Sequence, residues 1–234
     1  IFVGSQHPGE LDVVRRKARV QLGEVLVAEQ FDGLGQTETF CDLLDVDRDG
    51  DTDIVSVNYR SKSLYWSRNP GAINPSAAST SQALWENELI DTPGTSETGR
   101  LVDIDGDGLL DVLPNGTSFA AWYGLSKSTD GKWKFERYEL PAEVSGHGIG
   151  AGDINGDGRM DVVSPNGWAE GPSDPRTERW IWHADFKLAR DCGLPILCDD
   201  IDRDGDLDLI WGRGHNIGLY WTEQVTNDAS QFTF

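Results

Sequence analysis

The sequence predicts an all-β fold, a β-propeller of four-stranded blades, and three observations carry that prediction. A nine-residue aspartate-rich segment recurs four times without a gap, the four starts lie 58, 50 and 47 residues apart, and the runs flanking each copy are short and β-rich. A regular interval of this length marks stacked blades, whereas a β-sandwich has no reason to keep one.

The four segments are 45–53, 103–111, 153–161 and 200–208. Each position has a physical task. Oxygen ligands at positions 1, 3 and 5 converge on a hard cation as the chain wraps around it, position 7 offers its backbone carbonyl, and position 9 closes the site with a carboxylate. The expected ligands are Asp45, Asp47, Asp49, Asp51 and Asp53 in the first loop, and Asp103, Asp105, Asp107, Leu109 and Asp111 in the second. The third supplies Asp153, Asn155, Asp157, Arg159 and Asp161, and the fourth Asp200, Asp202, Asp204, Asp206 and Asp208. About four Ca²⁺ ions, one per loop, follow. Position 6 is always glycine (Gly50, Gly108, Gly158, Gly205), as a turn needing a left-handed backbone requires. Position 2 is aliphatic (Val46, Ile104, Ile154, Ile201), an anchor expected to point into the core.

An EF-hand is excluded on two counts. Its loop needs a bidentate Glu at position 12, where this chain has Ser56, Pro114, Ser164 and Trp211. Runs such as Ile54–Val57 and Leu209–Trp211 also read as strands rather than helices. The repeat continues beyond the loop: Leu64-Tyr65-Trp66 and Leu219-Tyr220-Trp221 both place Trp 13 residues after position 9. Ala121-Trp122-Tyr123 and Trp180-Ile181-Trp182 are expected in comparable places, and Trp85–Ile90 and Trp133–Leu140 read as outer strands.

Forty acidic against twenty basic residues give a formal charge of −20. Such a surface repels nucleic acid and anionic membranes, and no apolar run approaches the roughly 20 residues of a spanning helix. Seventeen of the carboxylates lie in the four loops. Three cysteines, Cys41, Cys192 and Cys198, are too few for a disulfide framework. Cys192 and Cys198 could close a small loop, or both could be buried thiols.

These loops closely resemble the FG-GAP/VCBS repeats, whose Asp-x-Asp-x-Asp-Gly-x-x-Asp turns join the first two strands of propeller blades in integrin α-subunit heads, fungal lectins and many secreted bacterial proteins. A distant similarity to the propeller domain of aldos-2-ulose dehydratase-type enzymes is also visible. The resemblance implies one propeller domain over 1–234, with blades at 37–95, 96–145, 146–192 and an incomplete 193–234. Residues 1–36 read as part of a blade without its own Asp loop. About five blade segments are therefore present. Either 1–36 completes a five-bladed ring, or the chain is an excerpt of a ring of seven, the number common in such proteins; the excerpt is the expectation, with further blades or domains in a longer chain.

In such blades the start of the first strand and the end of the second share the rim opposite the metal loops. That rim is expected to carry Glu97, Arg100, Asn58–Arg60, Asn115–Ser118, His147, Asn166–Trp168 and Arg213–Asn216. Arg60, Trp168, Arg213, His215 and Asn216 are the expected ligand-binding residues, since amides and guanidinium groups satisfy hydroxyls and an exposed Trp gives a sugar a stacking face. His147 and His215 are the candidate acid/base pair should the domain be catalytic; a metal site using both lacks a third ligand at any recognisable spacing. His183, beside Trp182 in an outer strand, reads as structural, and His7 lies in a Pro-Gly turn. The leading expectation is a secreted, periplasmic or cell-surface module that binds a glycan or an extracellular protein. A lyase- or dehydratase-like carbohydrate-active domain and a structural spacer of a large surface protein are the alternatives.

Overall fold

The computed structural model describes residues 38–71, 85–193 and 195–225; the expected partial blade 1–36 lies outside them. Within these residues the chain forms fifteen strands and one 3-10 turn, Ala142–Val144. Blade I holds β1 (Glu38–Leu44), β2 (Asp53–Asn58), β3 (Ser63–Arg68) and β4 (Glu86–Asp91). Blade II holds β5 (Gly99–Val102), β6 (Asp111–Pro114), β7 (Ala121–Lys127) and β8 (Trp133–Glu139). Blade III holds β9 (Gly150–Gly152), β10 (Asp161–Ser164), β11 (Gly167–Glu170) and β12 (Ile181–His183). Blade IV has three strands among the described residues, β13 (Leu197–Asp199), β14 (Asp208–Gly212) and β15 (Leu219–Thr222).

Each sheet is an antiparallel meander in chain order, and the first strands β1, β5, β9 and β13 lie side by side in succession. This is a propeller with four blades among the described residues. In every blade the Asp loop is the connection between first and second strand, and position 9 is the first residue of the second strand.

The core lies between blades. Val46 packs with Val55, Trp66, Val112 and Tyr123; Ile104 with Leu113, Trp122, Ile149 and Val162; Ile154 with Val163, Trp168, Ile196 and Leu209. The position-2 anchor thus reaches towards the following blade. Val46, Ile104 and Ile154 are at most 2% exposed, but Ile201 is 40% exposed. The reason is positional: among the described residues no blade follows the fourth. The same face bares Leu219 at 75% and Trp221 at 51%, whereas their blade I counterparts Leu64 and Trp66 are 1% and 0% exposed.

Strand register in blade III departs from the expectation. Val55 pairs with Trp66, Val163 with Trp168 and Ile210 with Trp221, and the pairing of Val112 with Tyr123 sets Trp122 at the same place in blade II. The blade III counterpart of Trp66 is therefore Trp168, while Trp182 lies on the fourth strand β12. A two-residue hairpin between Ser164 and Gly167 shortens that blade and shifts its tryptophan forward. Trp168 is 0% exposed, stacks on His183 at 4.2 Å between ring centroids, and donates its indole N–H to Asp185 at 2.9 Å. It offers no face to a ligand. Cys192 and Cys198 are free thiols.

Candidate functional site

Two ends of the propeller carry chemistry. At one end the four Asp loops repeat a single hydrogen-bonding scheme. The position-1 carboxylate accepts the N–H of position 6 in all four: Asp45 from Gly50, Asp103 from Gly108, Asp153 from Gly158 and Asp200 from Gly205, at 2.9–3.2 Å. To close so tightly the backbone goes left-handed twice. Position 6 has φ of 83–103° and is always glycine; position 4 has φ of 58–74° and is Arg48, Gly106, Gly156 or Arg203. A non-glycine residue there costs about 1–2 kcal/mol, so Arg48 and Arg203 are held by the rest of the loop.

Position 9 works differently from the others. Asp53 accepts the N–H of Val46 at 3.1 Å, the indole N–H of Trp66 at 2.9 Å and the N–H of Asn69 at 2.8 Å. Asp111, Asp161 and Asp208 likewise take the position-2 N–H with one oxygen and an N–H from further along, Leu125, Gly171 or Gln224, with the other. These carboxylates lace three strands together and also face the loop. Burial, against those hydrogen bonds, pushes Asp111 up to about 7 and Asp161 to about 6, with neighbouring loop aspartates adding to the rise; Asp53 is raised for the same first reason.

A cation suits these loops. Asp45, Asp47 and Asp53 bring three carboxylates within 4.8 Å of one another, as do Asp103, Asp105 and Asp111, and Asp200, Asp202 and Asp204. Asp47 Oδ1 and Asp206 Oδ1 are buried with no hydrogen-bond partner, which a cation relieves. The loops are not equivalent. Arg176 pairs with Asp105 and, at 3.0 Å, with Asp107 in the second loop. In the third, Asn155 spends its amide on Asp157, which Arg159 also pairs.

The raised carboxylates set a pH dependence. Their folded pKa values exceed the ordinary carboxylate value, so without a cation their contribution is full below about pH 4 and lost as pH rises through about 6–7. Cations need the ionised form. The calcium-induced rise in melting temperature should therefore grow between about pH 5 and about pH 8, as melts with and without chelator will show.

At the opposite end, the residues before each first strand and after each second strand meet. Asn115, fully buried just after β6, organises this rim. Its carbonyl oxygen accepts from Ser96 Oγ and from the backbone of Glu97 and Thr98 at 2.8–3.1 Å, and its amide donates to the His147 carbonyl at 2.7 Å. Blades II and III are thereby spliced. Glu97 Oε2 lies 2.6 Å from His147 Nε2, and His215 Nε2 of blade IV lies 3.2 Å from the same nitrogen. The His147 ring fits only because two neighbours lack side chains: a Cβ on Gly193 would come within 2.4 Å of Nδ1, and one on Gly214 within 3.0 Å of Cε1.

Asp191 holds the His215 loop. Its carboxylate takes Asn216 and Arg213, its carbonyl accepts the Gly214 N–H at 2.7 Å, and the Asn216 amide with the Arg213 guanidinium holds its pKa below the ordinary value. Of the rim residues expected from sequence, Glu97, His147 and His215 come together, and Arg213 and Asn216 stand one contact away through Asp191. Arg60 is exposed in the turn after β2. Trp168 is absent from the rim surface, and Asn58, Asn115 and Asn166 are spent on backbone groups rather than held ready for a ligand. The link between Glu97 and the histidines was not legible from spacing, since the three residues come from three blades. The glycines at 193 and 214 were the available signal.

A family model described as FG-GAP-like repeat matches residues 45–114 and 103–164. Each match spans two successive Asp loops, and together they cover 45–164, about half of the chain. No curated protein matches it.

Proposed function

Because the chain belongs to the FG-GAP-like repeat family, we propose that it is a calcium-stabilised propeller module that recognises a glycan or another oxygen-rich extracellular ligand through the rim opposite its Asp loops. One observation carries the reading: three successive blades converge Glu97, His147 and His215 at one end, with Arg213 held beside them by Asp191. A convergence of ionisable groups on a propeller rim suits selective hydrogen bonding to polyols. The oxygen-only loops suit Ca²⁺, and modules of this kind bind it at roughly 0.1–1 mM. That affinity belongs to a secreted, periplasmic or cell-surface setting. Among the described residues no helix is long and apolar enough to cross a membrane.

A glycan array probed in millimolar calcium tests this. A defined set of hits is expected, weakened about tenfold or more by His215→Gln and Arg213→Ala, which removes one or two charge-assisted hydrogen bonds. An array without hits would contradict glycan recognition. The 2.6 Å contact between His147 and Glu97 favours a second reading, a carbohydrate-active domain using the pair for proton transfer. There His147→Gln should abolish turnover while sugar binding persists.

A further inference from the structure

We propose that Glu97, His147 and His215 bind a divalent cation of the zinc class, at a site separate in place and in ligand chemistry from the Asp loops. The three ligand atoms lie within 4.8 Å of one another. The decisive point is valence. An imidazole nitrogen offers either a proton or a lone pair along one direction in the ring plane. Yet His147 Nε2 faces two partners at once, Glu97 Oε2 at 2.6 Å and His215 Nε2 at 3.2 Å. Protonated, it has one N–H to give to Glu97, which it can at most divide with a lone pair of His215 in a three-centre bond; deprotonated, it turns a lone pair on a carboxylate. A single cation at the shared point satisfies all three groups.

The nitrogen spacing agrees. With bonds of about 2.0–2.1 Å, two ligands of a tetrahedral ion stand about 3.3–3.4 Å apart, close to the 3.2 Å between the two nitrogens; the Glu97 oxygen, 2.6 Å from His147 Nε2, must swing out by about 0.7–0.8 Å to reach that separation. The donors agree as well. Two imidazoles and one carboxylate suit zinc and its neighbours, whereas calcium takes oxygen. The site is also held in advance, by Asn115 between Glu97 and His147 and by Asp191 behind the His215 loop. Three protein ligands leave a fourth position, and the exposure of His215 leaves it open to solvent or to a ligand oxygen.

One feature limits affinity. Ligation through Nε2 sends the proton of His147 to Nδ1, which is buried and has no partner. Lacking that outer hydrogen bond costs about 10–100-fold, so binding in the micromolar rather than the nanomolar range is expected.

The test is calorimetric titration of the chain with Zn²⁺ in excess calcium, with Co²⁺ as a spectroscopic probe. One ion per chain is expected, undisplaced by calcium, with the visible absorption of four-coordinate Co²⁺. His215→Gln should lower the affinity about 100-fold or more, since losing a ligand exceeds losing its outer support. Its calcium-dependent melting should stay unchanged, because His215 is an exposed side chain remote from the loops. No zinc binding would overturn the proposal, as would binding that calcium displaces or that survives in both His147→Gln and His215→Gln. The site stands on geometry alone, so an empty glycan array leaves it untouched, and a failed zinc titration leaves rim recognition standing.

Discussion

Asp53→Ala is expected to destabilise the protein by about 3–5 kcal/mol in chelator, and by about 1–2 kcal/mol more in calcium, where it also removes a metal ligand. The substitution strips the acceptor from the backbone N–H of Val46, the indole of Trp66 and the N–H of Asn69, in a residue only 1% exposed. Each buried donor left unsatisfied costs about 1–3 kcal/mol, less where water reaches it. Asp49→Ala is the contrast. Asp49 is exposed and accepts the Asp51 N–H at 2.9 Å, so its loss should cost about 1–2 kcal/mol in calcium and little in chelator. Urea melts of both variants check this, with Asp53→Asn as a milder form should the alanine variant fail to fold. Equal losses for the two, both confined to calcium, would reduce position 9 to a metal ligand and nothing more.

Removing calcium should lower the melting temperature by roughly 10–20 °C. A site held at about ten times its dissociation constant adds about 1.4 kcal/mol, so three or four sites add about 4–6 kcal/mol, and a chain of this size shifts about 2–4 °C for each. The first and fourth loops, with five carboxylates each, should contribute most. The second already has Arg176 between Asp105 and Asp107, and the third has Asn155 at position 3. Melts in calcium, in magnesium and in chelator check the figure. Magnesium should substitute poorly, because it demands octahedral geometry and gives up water reluctantly. Superimposable curves would contradict it.

The blades were legible because each Asp loop repeats in register, and a repeated local demand on the backbone leaves a repeated residue pattern. Gly50, Gly108, Gly158 and Gly205 announced one left-handed position. The other, at position 4, was hidden because Arg48 and Arg203 occupy it in two loops. Strand register in blade III was misread for a related reason. Trp168 follows position 9 by seven residues where Trp66 follows by thirteen, and a tight hairpin absorbs the difference without a separate sequence mark. Burial depends on neighbours the sequence does not show. Trp66 and Trp221 occupy the same place in their blades, yet one is enclosed by the next blade and the other is half exposed.

The rim was legible in part. Glycine-flanked histidines marked His147 and His215, and strand polarity placed Glu97 at the same end. Their contact was not legible, since it joins residues 50 and 68 positions apart in chain order across three blades. Nor was the role of Asn115, whose buried amide looks in sequence like any polar turn residue.

Everything about the Asp loops rests on their gripping divalent cations, and counting bound calcium is the direct measurement. Equilibrium dialysis of the chain against millimolar ⁴⁵Ca²⁺ should find three to four ions per molecule. The count should fall by one in Asp200→Ala, which removes the position-1 carboxylate of the fourth loop. A count of zero, with the protein still folded, would contradict the account.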